Sequence, residues 1–163
     1  MRFLKLVFIS IATLFILATA LSALFPSIVI VSRAVDVTAP ADSIMVHIKD
    51  MRQWKNWIDG MNDSSVRVHS ATAATLGGTE VTITQLTDTT VQSTWRARKG
   101  APQISTIRLI SNPAQKQTVV QWQFEQRLKW YPWEKLGSIM NDKILGPMME
   151  KNLANLKKMV ETT

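Results

Sequence analysis

Glu134 to Glu161 reads E-K-L-G-S-I-M-N-D-K-I-L-G-P-M-M-E-K-N-L-A-N-L-K-K-M-V-E. Leu136, Ile139, Met140, Ile144, Leu145, Met148, Met149, Leu153, Leu156, Met159 and Val160 recur at steps of three and four, with Lys135, Asp142, Lys151, Lys157 and Lys158 between them. That period is the stripe of an amphipathic helix. Gly146-Pro147 interrupts it; proline removes one backbone donor and crowds the preceding turn, so a kink or short break is expected there. A long helix must lay its stripe on something, and the segments before it are mostly short and β-like. The expectation is an α+β domain in which a sheet wraps against one helix.

The totals agree with one such domain and an additional apolar segment: 163 residues, 46% of them hydrophobic. Lysine and arginine number 19 against 12 acids, a net +7 that favours anionic surfaces such as phospholipid headgroups. The nearest thing to a basic run is Arg96, Arg98 and Lys99, which reads as a solvated strand end, so no nucleic-acid role is implied. Cysteine is absent, which excludes disulfides, thiolate metal sites and a thiol nucleophile.

Working back to the amino terminus, Leu6 to Phe25 is an uncharged run, and as a helix it is as long as a bilayer core is thick. Two readings compete. One is a retained membrane anchor over residues 1–27, followed by a folded domain over 28–163. The other is a signal peptide cleaved after Ala18-Thr19-Ala20. The apolar run continues past that point and no charge follows until Arg33, which favours the anchor. Arg2 and Lys5 precede the run, so the expected orientation is single-pass, with the domain extracytoplasmic, in the periplasm where there is one.

Between anchor and terminal helix, Ile28 to Val37 is β-branched and reads as a first strand. Thr38-Ala39-Pro40-Ala41-Asp42 opens a short helix, and a second over Asp50 to Ile58 places Trp54 and Trp57 on one face. Strands are expected at Ser65–Ala71, Thr79–Leu86, Thr90–Arg98, Gln103–Ile110 and Thr118–Leu128, joined by short turns as an antiparallel meander. Alternation puts Val91, Ser93, Trp95 and Ala97, then Ser105, Ile107 and Leu109, then Val120, Trp122, Phe124 and Gln126 on one inner face.

Three stretches, Val31 to Ile44 (V-S-R-A-V-D-V-T-A-P-A-D-S-I), Asp50 to Trp57 (D-M-R-Q-W-K-N-W) and Ile144 to Lys158 (I-L-G-P-M-M-E-K-N-L-A-N-L-K-K), resemble the START-like SRPBCC superfamily, in particular its bacterial polyketide cyclase/dehydrase-like branch. The likeness extends over about Val31 to Glu161. It implies a helix-grip fold, a curved antiparallel sheet of six to seven strands around the long carboxy-terminal helix, enclosing a cavity for an apolar small molecule or lipid. It implies no particular reaction. Six strands are countable; the stretch between Ala71 and Thr79 looks too short for the family's seventh.

The candidate cavity lining is Trp54, Trp57, Trp95, Ile107, Trp122, Phe124, Met140 and Met148, because aromatic rings and flexible thioethers adapt to varied chains. The same stripe is what any filled core shows. W-Y-P-W at Trp130 to Trp133 suggests membrane-interface contact by Trp130, Tyr131 and Trp133, or a plug over the open end of the sheet. Catalysis has little support. His47 and His69 lack partners at metal-ligand spacing, no nucleophile elbow, zinc motif or phosphate-binding loop occurs, and no cofactor is implied. The reading is a membrane-anchored domain that binds a hydrophobic ligand or lipid. A cyclase- or dehydratase-like enzyme and a closed protein-interaction module are the alternatives.

Overall fold

In the computed structural model, residues 2–24, 27–112, 116–129 and 132–162 are described, with side chains 2, 23, 132–134 and 136–141 set aside. The elements are α1 (Arg2–Ala23), β1 (Ile28–Val37), α2 (Ala41–Ile48), a 3-10 helix (Met51–Asn56), β2 (Val66–Val68), β3 (Ala73–Leu76), β4 (Thr79–Leu86), β5 (Thr90–Arg96), β6 (Gln103–Asn112), β7 (Gln117–Arg127) and α3 (Pro132–Glu161). The seven strands form one antiparallel sheet in the order β1-β7-β6-β5-β4-β3-β2, and α3 lies along β1. This is the expected α+β helix-grip arrangement.

Two expectations need correction. The sheet has its seventh strand in the stretch judged too short: β3 is four residues, and Gly77-Gly78 turns it into β4 with Leu76 opposite Thr79. Both glycines have positive φ, +55° and +87°, which a two-residue hairpin turn demands and other residues resist. Gly146-Pro147 does not break α3, which is helical for all 30 residues.

The reason lies in Arg33, which alternation places on the inner face among Val31, Val35 and Val37. Its Nη2 donates to Asp142 at 2.9 Å and its Nε to Glu150 at 2.6 Å, so one guanidinium ties together the turns on either side of Pro147. It lies directly over Gly146, where a Cβ would stand 2.3 Å from Nη2 and 2.9 Å from Cζ. An alanine there would have to displace the guanidinium from this position, although the φ of Gly146 is ordinary.

The other side of α3 is held by the segment that follows the 3-10 helix. The Asp59 N–H donates to Asn152 Oδ1 at 2.9 Å, Asn155 Nδ2 donates to Trp57 O at 3.2 Å, and Lys151 pairs with Asp59 at 2.6 Å. Between these clasps Met149, Leu153 and Leu156 are fully buried against the sheet. At the end of the helix Glu161 accepts the Thr38 N–H at 2.8 Å, joining α3 to the β1–α2 corner.

Two outcomes test this packing. Gly→Ala inside a helix ordinarily stabilises by about 0.5–1 kcal/mol. In urea unfolding of the detergent-solubilised chain, Gly146→Ala should be neutral or destabilising, and should become stabilising in an Arg33→Ala background.

The second concerns pH. The Thr38 N–H holds the Glu161 carboxyl below the ordinary carboxylate range; the Arg52 guanidinium does the same for Asp50, and the Ser65 N–H for Asp63. Depressed folded-state values contribute stability that is present above the unfolded value and lost as pH falls through the folded one. Unfolding midpoints should therefore drop below about pH 4, and the difference between wild type and Glu161→Gln should shrink there.

Candidate functional site

The inner face of the sheet collects its aromatic side chains because period-two alternation on β5, β6 and β7 points Trp95, Ile107, Trp122 and Phe124 the same way. The 3-10 helix adds Trp54 from the opposite side, and Trp57, the residue that ends it, adds a second ring. The rings close into a cycle. Trp54 meets Trp57 edge-on at 6.2 Å, Trp57 meets Trp122 at 5.7 Å, Trp122 meets Phe124 at 5.5 Å, Phe124 meets Trp95 at 5.4 Å, and Trp95 stacks on Trp54 at 6.4 Å.

Every indole N–H in the cycle has a partner. Trp54 donates to Ile48 O at 3.0 Å, Trp57 to His47 O at 3.2 Å, Trp95 to Ser93 Oγ at 3.0 Å and Trp122 to Ser105 Oγ at 2.8 Å. The two inner-face serines are thereby accounted for: a polar atom is needed in an apolar layer wherever an indole must be satisfied. They are acceptors for tryptophan.

Of the eight residues expected to line a cavity, Trp54, Trp57, Trp95, Ile107, Trp122 and Phe124 are brought together. Met148 is not; it is 38% exposed on the outer side of α3. The Met140 side chain lies outside the described residues, as do Trp130, Tyr131 and the Trp133 side chain. The expected placement of that aromatic stretch rests on the register. Ile28 opposite Arg127 puts the end of β7 at the edge where α1 enters the sheet.

Burial along the inner face is uneven. Val37, Val91, Leu109 and Val120 at the far end of the sheet are buried, as are Trp54, Trp57 and Trp122 at its centre. At the end nearest α1, Val29, Trp95, Gln103 and Gln126 are only half-buried. They form one row across β1, β7, β6 and β5, and Gln103 Nε2 donates to Gln126 Oε1 at 3.2 Å.

Outside the cycle, a cavity of about 620 Å³ lies between the start of α2 and the ends of β6 and β7, and another of about 350 Å³ on the polar outer face of the sheet. Neither is lined by a ring residue. Among the described residues no three His, Asp or Glu side chains are grouped to hold a metal. His69 is exposed and bonded to Thr75, while His47 is half-buried and its Nδ1 lacks a partner among the described residues.

A family model described as polyketide cyclase / dehydrase and lipid transport matches residues 29–161. The chain belongs to this family. Solved structures agree in fold. A START superfamily protein from Mycobacterium smegmatis superposes with a TM-score of 0.64 at 15% identity, over 82% of this chain and 97% of its own. The di-domain ARO/CYC StfQ from the steffimycin biosynthetic pathway gives 0.62 at 10% identity, over 83% of this chain and 51% of its own. A protein from Nitrosospira multiformis gives 0.60 at 11% identity, over 80% and 94%. At such identities the likeness carries the fold alone. No curated protein matches the sequence.

Within the polyketide cyclase/dehydrase frame, the sequence found the aromatic face but missed Arg33, Asn152 and Asn155, which close the helix over it. The one available signal was an arginine in a row of valines. If Ser105 serves Trp122 and no substrate, Ser105→Ala should cost about 1–3 kcal/mol by stranding the indole donor. Adding Trp122→Phe should cost less than the sum of the single changes in a urea double-mutant cycle.

Proposed function

We propose that the protein is a membrane-anchored helix-grip domain that takes up one apolar, lipid-derived molecule at the bilayer surface without chemical change. The observation that carries this reading is the uneven burial of the inner face. The far end and centre are filled, while the row Val29, Gln126, Gln103 and Trp95 next to α1 is covered incompletely. A hydrocarbon chain laid there under the first half of α3 would bury apolar surface at about 25 cal/mol per Å². The paired glutamine amides would meet its polar end.

α1 supports the membrane part. Its segment Phe3–Ser22 has a mean hydropathy of 2.3, and its large side chains are exposed, Phe3 85% and Leu14 66%. A helix whose large apolar side chains stand exposed among the described residues needs an apolar surrounding. A signal sequence has the same character; the apolar run past Ala20 favours retention, and the buried Lys135 ties α3 to the last turn of α1, its Nζ donating to Ser22 O at 3.0 Å. A cation on the last carbonyls of a helix is a stabilising cap. The extracytoplasmic orientation belongs to this proposal on the strength of Arg2 and Lys5 alone.

The closed aromatic cycle favours a second reading, a packed domain that offers only its surface to a protein. An enzymatic role has less to draw on, since the polar groups of the inner row among the described residues are amides and an indole. Native mass spectrometry of the full chain released from lipid nanodiscs separates these. The proposal expects a retained adduct of one lipid-sized mass, recovered chemically unchanged on extraction. A wild-type mass equal to that of the polypeptide alone would favour the packed domain.

A further inference from the structure

The strand registers bring one set of strand ends to the edge where α1 enters. Ile28 faces Arg127, Gln126 faces Gln103, Gln103 faces Trp95, Arg96 faces Glu80, and the β3–β4 hairpin and the start of β2 follow. That rim carries Arg67, Arg96, Arg98, Lys99, Arg127 and Lys129, all exposed. The acids beside them are Glu80, Glu125 and Asp63. Asp63 is occupied by the Ser65 N–H, and Glu125 reaches Arg127 only at 3.8 Å. Among the described residues Arg67, Arg96, Arg98 and Lys99 have no carboxylate partner within 4 Å. Ala97, Arg98 and Lys99 line a cleft of about 650 Å³ with Gly77 and Gly78. At the opposite end Asp36, Asp42, Asp50, Asp88 and Glu161 stand with Lys49, Arg52, Arg108, Lys116, Lys157 and Lys158, so the larger basic excess lies at the α1 end.

We infer that this rim is a docking surface for the anionic phospholipid headgroups of the same bilayer that holds α1, and that it fixes the domain's orientation on the membrane. The inference rests on the anchor reading above. Four residues separate α1 from β1, a span of at most about 14 Å. The β1–β7 corner of the rim is therefore held close to the headgroups, and laying the edge on the bilayer brings its exposed cations within reach of anionic lipid. With this edge down, the half-buried row of the inner face opens toward lipid.

The absence of cysteine allows single labels to be placed. Nitroxides at Ala97→Cys on the rim and Thr89→Cys at the far end, in the full chain reconstituted into vesicles, report accessibility to an aqueous nickel reagent. Accessibility of the Ala97 label should fall several-fold when phosphatidylglycerol is added to phosphatidylcholine. High salt should reverse the fall, as should the triple change Arg96→Glu, Arg98→Glu and Lys99→Glu, and the Thr89 label should not respond. An Ala97 signal indifferent to lipid charge, in protein that resists alkaline extraction, would overturn the docking surface while leaving the anchor intact. Release of the chain by alkaline extraction would instead overturn the anchor and the docking surface together.

Discussion

The fold depends on a closed cycle of five aromatic rings whose four indole N–H groups each require an acceptor. Rings of this size supply much of the apolar area that a domain of this length can bury, and their edge-on contacts fix relative orientation as well as burial. The polar requirement is as constraining as the apolar one. An indole left unpaired at the centre would cost more than a typical hydrogen bond contributes. Hence Ser93 and Ser105 stand two residues or one strand away from the tryptophans they serve, and the carbonyls of Ile48 and His47 at the end of α2 are turned toward the 3-10 helix. The short α2 and 3-10 helices are in this sense the second wall of the ring.

α3 closes over the same core by other means. Its buried stripe is narrow, confined among the described residues to Met149, Leu153 and Leu156 with half-buried neighbours. Polar clasps on both flanks therefore matter more than the length of the helix suggests. Arg33 bridges two turns across Gly146 on one flank; on the other, Asn152 and Asn155 hold the Trp57–Asp59 backbone and Lys151 pairs with the Asp59 carboxylate. Exposed ion pairs contribute little singly. Arg33 differs in that its guanidinium is packed against the helix backbone, so its geometry depends on the missing side chain at Gly146.

What could be read from the residues follows from which interactions are local. Strand alternation and the helical stripe repeat every few residues, so the inner face, β1 and β4 were legible at the residue level. Arg33 was not, because its partners lie 109 and 117 positions away and nothing near it distinguishes a clasp from an edge charge. β3 was missed because A-A-T-L has weak β character; it is a strand by virtue of its pairing on both sides and the glycine hairpin. Pro147 was read as a kink or short break because its local cost is real, and the tertiary clasp across it carries the helix through. Met148 fell on the expected stripe by spacing, but the stripe drifts, and Met149 takes the buried position.

The same ring gives the domain its polarity. Half-covered beside α1 and buried at the centre, the inner face is unevenly packed, and its less covered side is where the chain meets its apolar helix. Hydrogen exchange of the four indole N–H groups, followed by NMR in detergent micelles, tests this most directly. The account predicts that Trp54, Trp57 and Trp122 exchange only through global unfolding, with one common dependence on denaturant, while Trp95 exchanges faster through local opening. Rapid exchange at Trp57 and Trp122 under native conditions would contradict it, since the ring would then not be the packed centre on which the rest of the structure is built.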